Sequence, residues 1–287
     1  MELLLSQIIN GISGSAELFI VAIGLVIIFG MLDVVNMAHG EFVMLGAYCS
    51  CVCVNQLGVP FFLSIPVSFI FTAILGMILE QLFIRKLYGK VAETLLVTFA
   101  LTYIIPQIVR ILFGPENQNI ENPIKGSISA GKITVPYYNI FIIVMAGVIL
   151  AGTIFLFYKT KFGMQLRAIT QNRKMSQCLG INSDKVDRMT FAYGCGLAGL
   201  AGALLAPISS VTPGMGTEYV VDSFLVVILG GLNSVIGSFW GAGVIEESIS
   251  VMAGYMSLVT SKLLIFIVII ILIRFRPQGL FSSKDKR

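Results

Sequence analysis

Charge is scarce in this sequence. Only 12% of residues are Asp, Glu, Lys or Arg while 56% are hydrophobic, about half the charge share of an ordinary soluble domain. No conventional water-facing surface can enclose such a chain, so lipid must be much of its solvent. No Lys or Arg precedes Arg85. Without a basic n-region or a clear cleavage site, the first apolar run is expected to stay in the mature protein. No Gly-x-x-x-x-Gly-Lys-Ser/Thr segment occurs, which excludes P-loop ATP hydrolysis by this chain. His39 is the sole histidine, and Cys49, Cys51 and Cys53 would step about 200° apart on a helix. That arrangement is no metal set, and these cysteines, with Cys178 and Cys195, read as small packing residues.

What is present is a succession of apolar runs, at residues 8–30, 40–56, 60–84, 92–112, 139–158, 189–211, 220–238, 241–257 and 260–274. A hydrocarbon core about 30 Å thick takes about 20 helical residues per crossing. The expected fold is therefore all-α: one polytopic transmembrane helical bundle over residues 1–287, with about 8–10 spans, some of them discontinuous. The net charge of +4 is topological information rather than a sign of nucleic-acid binding. Arg85, Lys86 and Lys90 share one loop, and Lys159, Lys161, Arg167, Arg173, Lys174, Lys185 and Arg188 crowd another. Both belong on the cytoplasmic side, as does the C-terminal tail, while residues 114–138 read as an irregular external loop.

Two interruptions carry polar groups into apolar sequence. Gly30-Met-Leu-Asp-Val-Val-Asn-Met-Ala-His-Gly-Glu41 holds Asp33, Asn36, His39 and Glu41, each costly to leave unpaired in hydrocarbon. It reads as a broken helix lining a cavity, or as a turn in which Asn36 caps the next helix. Leu229-Gly-Gly-Leu-Asn-Ser-Val-Ile-Gly237 repeats the Gly-x-Leu-Asp/Asn rhythm and brings in Asn233; glycine-mediated helix packing explains it equally well. Gly194-Cys-Gly196-Leu-Ala-Gly199 matches a dinucleotide fingerprint only formally, because no buried strand precedes it. Gly194, Ala198 and Gly202 instead place small residues on one helix face.

The basic segment 159–188 predicts two short cytoplasmic helices. Leu166, Ile169, Met175 and Leu179 form an apolar stripe, Gly180 suits a left-handed cap, and Asn182 or Ser183 can start the next helix.

The block Asn36-Met-Ala-His-Gly-Glu41 with Gly46-Ala-Tyr48, the loop Asn172–Ile181, and Val220-Val-Asp-Ser-Phe-Leu-Val-Val-Ile-Leu-Gly-Gly231 resemble the branched-chain amino acid permease family of ABC importers. Asn36–Glu41, Glu93-Thr-Leu-Leu96, Asp187-Arg-Met-Thr-Phe191, Tyr219–Phe224 and the tail Arg276-Pro-Gln-Gly-Leu-Phe281 look closer to its urea permeases than to its leucine-type ones. The resemblance spans nearly the whole chain. It implies a non-enzymatic inner-membrane transport subunit without a cofactor. The implied partners are a second, similar permease, two cytoplasmic ATPases and an external solute-binding protein. One departure stands out, since Asn172 follows Ala168 where the best-known importer coupling motif has glycine.

Asn36, His39, Glu41 and Asn233 are the expected substrate-pathway residues. Arg167, Arg173, Met175, Leu179 and Gly180 are the expected ATPase contacts. Urea offers four N–H donors and one carbonyl, which suits acceptors such as Asn36, Glu41 and Asn233 together with freed backbone carbonyls. Branched-chain amino acid or short-chain amide import by the same machinery is the alternative, and a stand-alone urea channel is a third.

Overall fold

The computed structural model describes residues 2–130, 133–232, 234–276 and 279–280. Eleven α-helices dominate these residues: α1 Glu2–Leu32, α2 His39–Cys51, α3 Phe61–Leu82, α4 Val91–Phe113, α5 Tyr137–Lys159, α6 Lys161–Gln171, α7 Arg173–Cys178, α8 Ser183–Leu205, α9 Met215–Gly230, α10 Val235–Ala253 and α11 Leu258–Phe275. A π-helical turn, Val52–Gln56, extends α2. Helices are what hydrocarbon permits, because every backbone N–H and C=O must find its partner inside the segment.

Five helices, α1, α3, α4, α5 and α11, are long and apolar enough to cross a membrane. The pair α9 and α10, bent by 117° at its break, makes a sixth when counted as one span. The remaining expected runs are α2 with its π turn, which is short, and α8, whose packing face is diluted by glycine and alanine. The break of the 220–257 region falls at Gly231–Ser234 rather than at residues 239–240. Gly231 takes φ +95°, and the Ser234 hydroxyl accepts the Gly237 N–H at 2.9 Å as the cap of α10. The glycines at 237 and 241 stay helical and pack against Gly230.

The external segment is also more ordered than its composition suggested. Ser127–Ala130 (β1) and Ile133–Pro136 (β2) form an antiparallel hairpin, and Gln118 pairs with Val211 through the backbone. At the opposite end, the two basic segments meet. Arg85 pairs with Asp184, and the Arg173 guanidinium lies over the Tyr88 ring at 5.6 Å. Their common location is the one that loop charge predicted.

Helix α8 is the hub, packed against α1, α2 and α3. Its small-residue face makes this possible. A Cβ on Gly202 would collide with the Val43 carbonyl and lie 2.8 Å from the Ala47 nitrogen, and one on Gly46 would strike Gly199. Both obstacles are backbone, which cannot rotate away. Gly202→Leu is accordingly expected to cost at least about 3 kcal/mol, the upper end of ordinary overpacking. Loss of a monodisperse, cooperatively melting complex in detergent checks this; normal melting would mean that α2 and α8 can separate without penalty.

Candidate functional site

The polar segment after α1 turns back into the protein. Asp33 leaves the helix with φ +53°, a left-handed conformation that aspartate tolerates better than most residues. The chain then climbs alongside α1, and α2 begins at His39. The His39 Nε2 pairs with the Val21 carbonyl at 2.9 Å. Val21 stands 11 residues before the end of α1, about 16 Å along the helix axis, so α2 starts roughly halfway through the hydrocarbon. This is a broken helix, not a surface turn. Ala38 is the N-cap residue and no side chain caps α2, so Asn36 does not play the capping role.

Irregular backbone at this depth needs partners, and α4 supplies them. The Thr98 hydroxyl accepts the Met37 N–H at 3.2 Å and donates to the Val35 carbonyl at 3.1 Å. Asn36 lies between these two anchors. Its carbonyl accepts the His39 N–H at 3.3 Å.

A second helix start meets the first. A Cβ on Gly40 would strike the Gly216 carbonyl, and one on Gly216 would lie 2.8 Å from Glu41 Oε2. Only glycine at both positions lets the first turns of α2 and α9 touch. The positive ends of two helix dipoles therefore converge beside Glu41. Asn36, His39 and Glu41 are at most 1% exposed, yet Asn36 Nδ2, His39 Nδ1 and Glu41 Oε2 have no hydrogen-bond partner in the protein. A buried polar atom left so costs about 1–3 kcal/mol. Two helix starts thus frame a donor, a ring nitrogen and a carboxylate oxygen that can each bind a passing polar solute. Asn233 lies outside the described residues, so the structure does not join it to this group.

A second set of intramembrane charges lies apart from this group. Glu17 of α1, Glu218 and Asp222 of α9, Glu246 of α10 and Lys262 of α11 lie on one side of the bundle. Lys262 Nζ binds Asp222 Oδ2 at 2.7 Å, and a Cβ on Gly14, one turn before Glu17, would lie 3.0 Å from Glu246 Oε2. Glu218 is exposed and Glu17 half-buried. Lipid does not solvate carboxylates, so another protein or water must cover this face. The rule that singled out Glu41, acids inside apolar runs, would have found Glu17, Asp222 and Glu246 had it been applied throughout.

The expected ATPase contacts separate into two groups. The Thr160 hydroxyl caps α6 through Gly163 N–H at 3.2 Å, and Asn172 caps α7 through Met175 N–H at 3.0 Å. Gly180 has φ +84°. The Ile181 N–H donates to the Ser176 carbonyl at 3.1 Å and the Gly180 N–H to the Gln177 carbonyl at 3.0 Å, which is a Schellman cap. The apolar stripe divides, with Leu166 and Ile169 buried against the bundle and Met175 and Leu179 standing 60% and 75% exposed. Arg167 lies over Tyr158 at 5.0 Å. Arg173 binds Asp187 at 2.6 Å. Both arginines are thus half-buried and engaged within the chain, whereas Met175, Leu179 and the capped turn stand exposed. In the neighbouring turn, burial and nearby Glu80 push the Tyr88 hydroxyl far above its usual pKa, which keeps it a neutral donor to Glu80 Oε1 at 3.1 Å.

The family model described as branched-chain amino acid transport system / permease component matches residues 7–273. The chain is 26% identical to the high-affinity branched-chain amino acid transport system permease protein BraD of Pseudomonas aeruginosa, over 98% of this chain and 96% of that protein. It is 28% identical to the probable branched-chain amino acid transport permease protein LivH of Methanocaldococcus jannaschii, over 94% and 90%. A shorter stretch, 30% of this chain, is 32% identical to the ribose import permease protein RbsC of Escherichia coli. No solved structure matches the chain. A match over residues 7–273, on a multi-pass helical bundle with a broken polar helix at its centre, places this chain in the family of branched-chain amino acid transport permease components, transport subunits of the inner membrane rather than enzymes.

Proposed function

We propose that this chain is one of two permease subunits of an ATP-driven importer for a small polar solute, urea in the first instance. In this reading a second, homologous permease covers the charged α1, α9 and α10 face. Two cytoplasmic ATPases dock on Met175 and Leu179, and an external binding protein delivers the solute. The observation that carries the reading is the group of buried, unpartnered polar atoms where α2 and α9 begin together. Glu41 and the Asn36 side-chain oxygen can accept urea N–H groups, and the first-turn N–H groups of the two helices can donate to its carbonyl.

A zwitterionic amino acid needs its carboxylate met by a cation or by helix N-termini, and the converging starts of α2 and α9 offer the latter. Lys262 is held by Asp222 at 2.7 Å while Arg110 of α4 stands exposed, so the choice of urea rests on the acceptors at the break and not on the lack of a cation. Branched-chain amino acid import remains the second reading because the relatives carry that name. Uptake of labelled urea into proteoliposomes holding the complete importer decides between them. Saturable, ATP-dependent urea uptake that excess leucine leaves unchanged is the expected result. Leucine uptake with no urea uptake would overturn urea but leave the importer role standing, and urea flux without ATPases would overturn both in favour of a channel.

A further inference from the structure

Helix α4 is attached to the rest of the chain at few places. Between it and α3 runs an apolar groove of about 590 Å³, floored by α2 and lined by Leu75, Ile78, Ile105, Val109 and Leu112 among others, and Ile78 and Leu112, 47% and 70% exposed, open it to the bilayer. At its external end Phe113 meets the Tyr48 ring, with centroids 5.1 Å apart. Within the membrane, the side-chain hydrogen bonds that α4 makes to another segment, among the described residues, are those of Thr98 to residues 35 and 37. Thr98 is fully buried; its hydroxyl accepts the Met37 N–H and shares its single proton between the Val35 carbonyl and the Leu95 carbonyl of its own helix, each at 3.1 Å.

The cytoplasmic end of α4 is tied elsewhere. The turn before it, Ile84–Leu87 with Tyr88, is joined to the start of α8 by Arg85–Asp184. It is joined to the start of α7 by Arg173 over Tyr88 at 5.6 Å. Asp184 also faces Arg173 at 3.9 Å, so α7, α8 and the α3–α4 turn share one ion network. The segment that presents Met175 and Leu179 is thus linked through ion pairs to one end of α4, and Thr98 links α4 to the polar break.

We propose that Thr98 is a positioning residue and α4 a lever: displacement of α7 is carried through the Arg173–Asp184–Arg85 network into α4, and Thr98 transfers it to the backbone around Asn36. This rests on the reading of Asn36 and Glu41 as pathway residues. The groove between α3 and α4 opens to the bilayer, so lipid rather than a packed helix lies beside α4 there. A helix packed along its length against a neighbour transmits displacement to that neighbour, whereas α4 is free to pivot on the few points at which it is held.

The tests use the complete importer. Spin labels at Leu96 and Asp33, both exposed, are expected to keep their separation when ATP binds, while the separation between Leu96 and Met189 of α8 changes. Relative movement of Leu96 and Asp33 in the otherwise unaltered complex would overturn the lever, and this measurement does not depend on what solute is carried. Thr98→Val keeps the shape but removes the hydroxyl. It is expected to lower urea uptake roughly ten-fold or more while ATP hydrolysis continues, and to broaden the Leu96–Asp33 distance, with Thr98→Ser restoring both. Arg85→Gln should give the same uncoupling, and the double variant should be no worse than the worse single one. Effects that multiply would mean separate routes. Normal transport by Thr98→Val beside impaired Glu41→Gln would sink the Thr98 assignment alone; normal transport by Glu41→Gln would sink the pathway reading beneath it.

Discussion

Replacing Glu41 by alanine or glutamine in the assembled importer is expected to reduce transport roughly ten-fold or more while the complex still assembles. The magnitude follows from leaving a buried polar group of the solute unpaired in a water-poor site, about 1–3 kcal/mol. The specificity follows from geometry. Glu41 Oε2 has no protein partner, so removing it breaks no contact on which the fold depends, and the neighbouring glycine pair keeps α2 and α9 in register. Asn36→Ala is expected to act in the same direction, since its Nδ2 is likewise free. His39 is a poorer probe, because its Nε2 ties α2 to Val21 and its loss would mix packing with pathway effects. Uptake assayed with purified, reconstituted complex checks these expectations. Wild-type uptake by Glu41→Ala would return residues 33–41 to the status of a structural break without a role in transport.

The second large effect is expected at Gly180. Nothing lies within 4 Å of a Cβ placed there, so no clash opposes a larger residue. The obstacle is backbone conformation. At φ +84° an L-residue pays about 1–2 kcal/mol, and a β-branched one more. Gly180→Val should therefore undo the Schellman cap, swing Leu179 away from its outward position and leave the transmembrane helices intact. Transport is expected to fall while ATP hydrolysis loses its dependence on loaded binding protein. Gly180→Asn, which enters the left-handed region more readily, should recover much of the coupling. Cysteines at Met175 and Leu179 should crosslink to the ATPase in at least one nucleotide state. Free solvent labelling of both sites in every state, with no crosslink, would remove the α6–α7 segment from force transfer.

The same region shows how far local pattern reached. The caps at Asn182 and Gly180 were legible because capping is decided within four or five residues, and the same rule applied at Asn172, read only as a departure from a glycine, would have found the cap of α7. The fate of the apolar stripe was not, because Leu166 and Met175 are equally apolar and only the bundle decides which is covered. Likewise, hydropathy located the long helices but divided the 220–257 region at residues 239–240, whereas the interruption at Leu229–Gly237 is where α9 ends and α10 begins. Gly237 and Gly241 pack closely against Gly230, the packing role weighed for that segment. The external hairpin was read as irregular because two four-residue strands make a weak alternating signal.

Sequence alone determined that this is a membrane-spanning helical protein, that its two basic segments belong at one end, and that Asn36, His39 and Glu41 interrupt apolar sequence. Those conclusions depend on the transfer cost of individual residues into hydrocarbon, a property each carries wherever it sits. Tertiary structure decided that Gly40 meets Gly216, that Thr98 holds the two sides of Asn36, and that Glu17, Asp222, Glu246 and Lys262 share one side of the bundle. These depend on which helices are neighbours. Residues 40 and 216 come together through the packing of α9 against α1 and α2, and residues 36 and 98 through that of α4 beside α2, and no periodicity within a single helix encodes that arrangement.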